Sequence, residues 1–415
     1  MVRTTLLALG WVGTFVATAS AQPTEETILR KYLHASTRAN VRGTVLTVHP
    51  TPADVQTTLR RVVRRSDGRS LTLFLSPISE KGVIIAEDGR WTSRYDPSER
   101  IVRRKRSLER AGQTDPDRWL RLVRANYTVQ LEGTETIAGR ACYRLGLRPR
   151  WHRNGTVRVW VDKITGVELR RDELDSAGGT LSLAIFTSVH FPSHISDSEV
   201  TPRYPRNARL VQITQSGVYS DVEAVGRAAG FAVRPPLITP SGFHFVAGTA
   251  GTIAGRRSAF MRFTDGLSDI TIIEAAVLRR GSQPSRALRV LPRPYGEVEV
   301  NYALDDLEVV ILGRGDPRDL LAMAESLEPS HEKEWRRGVS RAFNGRSRLI
   351  TTLRNKGMSG DTVVALLTLL SHTNRSEQEI LRAYQDSWCW REVAKRLRVS
   401  EVIVARQIEA LCSTP

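Results

Sequence analysis

The strongest constraint on the fold is a change of hydrophobic period after the first forty residues. Residues 40–50 (NVRGTVLTVHP), 57–66 (TTLRRVVRRS), 70–77 (SLTLFLSP), 82–97 (GVIIAEDGRWTSRYDP) and 100–107 (RIVRRKRS) are short alternating runs, broken by Asp67-Gly68, Asp88-Gly89 and Asp96-Pro97. A period of two sends successive side chains to opposite faces of a strand, and Asp-Gly supplies the positive backbone angles of a tight hairpin. Alternation resumes over residues 126–150 and 156–191. Two stretches read as helix instead. Residues 25–39 carry Ile28, Leu29, Tyr32, Leu33 and Ala35 at helical spacing, and residues 115–125 (DPDRWLRLVRA) interrupt the strands. The pattern predicts an antiparallel sheet with helices added to it.

A Pro-containing stretch, residues 191–207 (FPSHISDSEVTPRYPRN), reads as a linker. Beyond it, residues 223–250 predict a short helix, a strand, a Pro-Pro turn and a further strand. Residues 255–277 (GRRSAFMRFTDGLSDITIIEAAV) predict a hairpin bent at Asp265-Gly266, and residues 297–315 a hairpin bent at Asp305-Asp306. Asp316 is placed to cap a helix with Pro317 at its first position. Everything after residue 330 is helical and polar. The expected organisation is a leader at 1–21, a strand-rich unit at 22–192, a linker at 193–207, a small α+β unit at 208–329 and an all-α module at 330–415.

The leader combines Arg3, an apolar stretch and Ala19-Ser20-Ala21, the pattern of an export signal. Cleavage there and retention as an N-terminal anchor both remain open; either puts the rest of the chain outside the cytoplasmic membrane. Among 415 residues, 61 Lys and Arg against 44 Asp and Glu give a net charge of +17. That balance favours anionic partners. The dense runs at 59–69 and 100–110 fit either solvated strand faces or an anion-binding face. Cys142, Cys389 and Cys412 have no metal spacing; Cys389 and Cys412 would pair if two C-terminal helices pack closely.

No catalytic motif is present: GxSxG, HExxH and a phosphate loop are all missing, and His190 and His194 flank Pro192 in the linker. Residues 387–411 have the helix–turn–helix spacing of a DNA reader. Trp388, Trp390, Val393, Leu397, Val402, Ile408 and Leu411 equally suit a bundle core, and an exported chain argues against nucleic acid.

Two regions carry a family resemblance. The strand-rich unit resembles the LolA/LolB-like fold, a curved antiparallel sheet forming a half-barrel around a helix. Gly139, Arg140, Leu145, Pro149, Trp160, Asp162, Thr165, Gly166 and Leu169 are similar to the strand-and-hairpin pattern of the MucB/RseB N-terminal domain. Phe263, Asp265, Gly266 and Leu267, followed by Ile270 to Glu274, resemble the hairpin of the MucB/RseB C-terminal domain. The likeness spans about residues 25–328 and leaves the helical module without a counterpart.

This resemblance implies a periplasmic, non-enzymatic protein without a cofactor. Members of that family bind the outer domain of a membrane anti-sigma factor and shield it from the protease that starts envelope-stress signalling. Lipid or lipopolysaccharide in the N-terminal cavity relieves the shielding. The implied partner-binding residues here are Phe263, Asp265, Gly266 and Leu267. A lipid or lipoprotein carrier, and an envelope structural protein binding anionic polymer, are the competing classes. In each, contact with the membrane is peripheral at most.

Overall fold

The computed structural model describes residues 23–35, 39–50, 54–107, 116–151, 155–212, 216–253, 255–277, 289–292, 297–304, 307–314 and 316–412. The leader and the Asp305-Asp306 bend lie outside these residues. The first unit begins with α1 (Glu25–Ala35), and α2 (Pro116–Asn126) lies between its two strand meanders. The strands before α2 are β1 (Val41–Pro50), β2 (Val55–Arg64), β3 (Ser70–Ser76), β4 (Ile84–Glu87), β5 (Trp91–Asp96) and β6 (Ile101–Arg106). Those after it are β7 (Tyr127–Ile137), β8 (Arg140–Pro149), β9 (Val157–Asp162), β10 (Glu168–Leu174) and β11 (Thr180–His190). The two meanders join where β1 pairs antiparallel with β11, giving one continuous sheet. A short helix, α3 (Asp197–Val200), follows, and then β12 (Arg209–Gln212) adds to β6 in parallel. The sheet therefore takes in residues beyond the boundary expected at 207.

Helix α1 explains the curvature. Its Ile28 and Leu29, with Leu120 and Val123 of α2, bury against Leu145, Leu147, Val159 and Val161 on β8 and β9. The other end of α1 reaches the junction of the two meanders, where Ala35 packs with Val41 of β1 and Phe186 of β11. A flat sheet could not touch one helix from both halves, so the sheet bends around it, as the half-barrel expectation requires. Gly43 assists: a Cβ there would stand 2.7 Å from the Phe186 ring and 2.4 Å from the Ser188 carbonyl. The family-type residues of this unit are structural. Arg140 pairs with Asp162 at 2.9 Å, while the same carboxylate accepts from the Thr165 N–H at 2.6 Å and its hydroxyl at 2.8 Å, tying the β8 start to the β9–β10 turn.

The second unit opens with α4 (Val222–Ala229), capped by Asp221. Its sheet comprises β13 (His244–Ile253), β14 (Arg256–Thr264), β15 (Asp269–Ala276), β16 (Arg289–Pro292), β17 (Val298–Ala303) and β18 (Leu307–Gly313), in the order β13-β14-β15-β18-β17-β16. Met261, Phe263, Ile270, Ile272, Val309 and Ile311 form its core with Leu320 and Met323 of α5 (Pro317–Glu325). Asp316 caps α5 as expected, its carboxylate accepting from the Arg318 N–H at 2.9 Å. The strand expected before Pro235-Pro236 does not form. The Arg234 N–H donates instead to the buried Glu274 carboxylate at 3.1 Å, and the two prolines have no N–H for a ladder.

The C-terminal module holds α6 (Pro329–Ala342), α7 (Ser347–Asn355), α8 (Gly360–Ser371), α9 (Glu377–Ser387), α10 (Trp390–Arg396) and α11 (Glu401–Cys412). Helix α8 is buried on nearly every side, and its Val363, Val364, Leu366, Leu367 and Leu369 pack among the others. Trp390, Val393 and Ile408 join this core as expected, but Val402 is 59 % exposed and Trp388 leaves the bundle to meet the first two units. The three thiols are free and buried, so Cys389 and Cys412 are not bridged. Burial pushes Cys142 up to about 11 and Cys412 up to about 12, which keeps both protonated and unreactive at neutral pH. No helix among the described residues is long and apolar enough to cross a membrane.

Candidate binding site

The β14–β15 turn, residues 265–268, projects from the second unit into the first. Its carboxylate, Asp265, is fully buried and organises the bend by accepting from the Leu267 N–H at 2.9 Å and the Ser268 N–H at 2.7 Å. The same carboxylate accepts from the Tyr127 hydroxyl, across the unit boundary, at 2.6 Å. Asn126, also fully buried, donates to the Asp265 carbonyl at 2.9 Å and the Gly242 carbonyl at 3.1 Å. Trp119 donates its indole N–H to the Gly266 carbonyl at 2.8 Å. The end of α2 and the start of β7 thus grip the turn on its backbone as well as its side chain.

Of the four residues expected to contact a partner, Phe263 lies in the second unit's core, edge-on to Phe245 with ring centroids 5.7 Å apart. Asp265 and Gly266 are buried in the joint, and Leu267 packs into the α1–α2 core of the first unit. Phe263, Asp265 and Gly266 are thus buried in the core and the joint, while Leu267 is partly exposed where it lines a cavity. Gly266 has φ +105°, and a Cβ would stand 2.9 Å from Val123. Gly266→Ala is expected to destabilise the protein by about 1–3 kcal/mol, through backbone strain and overpacking, seen as a lowered thermal midpoint.

Beneath the turn lies a cavity of about 390 Å³. Leu33, Val62, Phe186 and Leu267 give it an apolar side; Arg64, Glu168 and Arg171 give it a polar one. The first basic run therefore splits between two environments: Arg61 is exposed, while Arg60 bonds Thr47 at 2.8 Å and Arg64 lines the cavity. Tyr32 donates to Glu168 at 2.8 Å, and burial raises its phenol well above the ordinary value.

Arg171 links the cavity to a second tie between units. It pairs with Glu173 at 2.9 Å, and Glu173 also accepts from Arg314, beyond β18, at 2.8 Å. Burial raises the Glu173 carboxyl, but Arg171 and Arg314 outweigh it and hold the group below 4.5. A depressed carboxyl pKa contributes stability above about pH 4.5, lost as pH falls through the folded-state value. Glu173→Gln is expected to flatten the acid limb of a plot of thermal midpoint against pH below about 5, relative to wild type.

The helical module completes the joint. Trp388, in the left-handed region at φ +53°, stacks on His244 of the second unit with centroids 4.4 Å apart and meets Trp119 of α2 edge-on at 6.4 Å. Arg118 lies 4.7 Å over the same indole, and burial pushes His244 down to about 3, leaving it neutral. Tyr127, Asn126, Trp119, Glu173 and Arg314 escaped the sequence reading. Their partners lie roughly 100 or more residues away, and no local pattern marks such pairs.

Comparison with known proteins agrees with this architecture. The MucB/RseB N-terminal domain family matches residues 25–204. A crystal structure of MucB in complex with MucA(peri) superposes with TM-score 0.51 at 17 % identity, covering 73 % of this chain and 98 % of that one. A Pseudomonas aeruginosa MucA/MucB complex superposes with TM-score 0.51 at 17 % identity, covering 72 % and 96 %. At that identity the likeness speaks to the fold. No curated protein matches the chain by sequence. The chain carries a MucB/RseB N-terminal domain, and the family resemblance read from its sequence holds over that domain.

Proposed function

We propose that this chain is an exported, non-enzymatic regulator that binds the outer domain of a membrane anti-sigma factor. The observation behind it is the MucB/RseB N-terminal domain, followed by a second unit that extends the likeness over nearly the whole of a MucB chain solved with MucA(peri). The net charge of +17 favours an acidic partner surface. In this reading Asp265 and its neighbours act by fixing the angle between units, so that the partner meets a preset surface. Co-expression of the mature chain with a tagged anti-sigma ectodomain from its own organism is expected to give a stable co-purified complex. Recovery of the two proteins separately at low salt would contradict the proposal.

Lipid sensing is the finer part of the same proposal. The cavity of about 390 Å³ falls in the range of small-molecule pockets, roughly 300–1,000 Å³, and has an apolar side beside buried charges. An acyl chain entering there would press on Leu267 from below and work the turn loose from α2. Native mass spectrometry of the purified chain is expected to reveal a bound acyl species that disappears in Val62→Trp. A bound lipid without any anti-sigma complex would favour the carrier reading instead.

A further inference from the structure

A second cavity, of about 910 Å³, lies where the helical module meets α1 and α2 of the first unit. At its edge the Arg391 guanidinium is held against two indole rings, 4.1 Å from the Trp151 centroid and 4.3 Å from the Trp390 centroid. Stacking fixes the plane of a guanidinium while leaving its N–H edge free to donate. No carboxylate among the described residues forms an ion pair with it, and the attraction of Glu401, on the same cavity, is outweighed by burial. Arg391 is partly buried, and burial pulls its pKa down, the sign of a cation short of compensation. Arg150 and Lys395 line the same cavity, also without an ion-pair partner among the described residues.

Most of the acidic groups on this cavity are already engaged. Arg30 holds Asp117 and, with Arg124 at 2.7 Å, Glu26; Arg396 lies 3.8 Å from Glu392. Glu25 and Glu401 also line the cavity, and against Arg391, Arg150 and Lys395 they leave an excess of one positive charge around a preoriented fork.

We propose that this joint between the first unit and the helical module is a phosphate-binding site centred on Arg391, with Arg150 and Lys395 as supporting cations. A phosphate offers several oxygens to several cations at once, which a single carboxylate does less well. Free phosphate, a phosphorylated small molecule and a phospholipid headgroup share that chemistry. The site brings together residues from two units, so its occupancy also bears on how firmly the module is seated.

Trp151 and Trp390 report directly. Tryptophan fluorescence of the mature chain is titrated with inorganic phosphate against chloride at matched ionic strength, and separately with phosphatidylglycerol vesicles against phosphatidylcholine vesicles. Wild type is expected to saturate, with binding weakened at least about ten-fold in Arg391→Gln and partly retained in Arg391→Lys, which keeps the charge but loses the fork. Arg406→Gln, on the exposed face of α11, should titrate as wild type. Saturation by inorganic phosphate points to a soluble ligand, and saturation by anionic vesicles alone to a headgroup. Thermal midpoints separate a site from a mere clasp: phosphate should raise the wild-type midpoint and leave that of Arg391→Gln unmoved. The proposal is overturned if phosphate and anionic vesicles act no differently from their controls, or if Arg391→Gln titrates like wild type.

Discussion

Asp265→Ala is expected to destabilise the protein by about 3–5 kcal/mol and to free the second unit from the first. The substitution strands the Tyr127 hydroxyl and the Leu267 and Ser268 N–H groups, which donate to Asp265 at 2.6, 2.9 and 2.7 Å. Each buried donor left without an acceptor costs about 1–3 kcal/mol, and the turn relaxes enough to recover part of the sum. Tyr127→Phe removes one donor together with its demand for an acceptor, so its effect should be nearer 1 kcal/mol. Differential scanning calorimetry would register Asp265→Ala as a lowered midpoint that splits into separate transitions for the two units. Small-angle scattering would show a larger radius of gyration below the first transition. An unsplit transition at the wild-type midpoint would mean that the turn does not hold the units together.

The second large effect is expected at Arg354, which is fully buried between the helical module and the second unit. Its guanidinium donates to the Pro235 carbonyl at 2.5 Å, the Pro236 carbonyl at 2.7 Å and the Met358 carbonyl at 2.8 Å, and it pairs with Glu332 at 2.6 Å. Three carbonyls lose their donor in Arg354→Ala, and Glu332 keeps only Arg336, at 2.6 Å; breaking a largely buried network in this way costs about 3–5 kcal/mol. Arg354→Lys retains the charge but can reach only some of these acceptors, so it should fall between wild type and Ala. Urea unfolding is expected to show the module melting before the rest, with tryptic cleavage appearing first within residues 330–412. A single cooperative transition in Arg354→Ala, at the wild-type midpoint, would show that the module is held by other contacts.

What the sequence made legible follows from the range of the interactions involved. Alternation over residues 40–191 marks strands because neighbouring residues decide which face is buried, and Asp316-Pro317 marks the start of α5 because a cap acts within one turn. The same local logic went wrong at residues 231–234. Their apolar alternation reads as strand, but the distant Glu274 takes the Arg234 N–H that a ladder would need. The family-type residues showed which turn mattered without showing how it works. Asp265 looks like half of an exposed Asp-Gly bend, yet Tyr127, Asn126 and Trp119 bury that bend from across the unit boundary. Arg391 gave no signal either, because one of the rings that hold it, Trp151, lies far off in the chain.

Among the ties across the joint are the Asp265 turn, the Glu173–Arg314 pair and the Trp388 stack. They bind the first unit to the second and to the helical module. A preset angle between units lowers the free energy that a partner must spend on ordering them.

The most direct test is a binding titration of residues 23–415 against the purified outer domain of an anti-sigma factor from the same organism, read by biolayer interferometry with Asp265→Ala in parallel. The account predicts saturable one-to-one binding by wild type, weakened at least about ten-fold in the variant as the joint loosens. No binding by wild type at micromolar concentrations, or equal binding by both proteins, would contradict it.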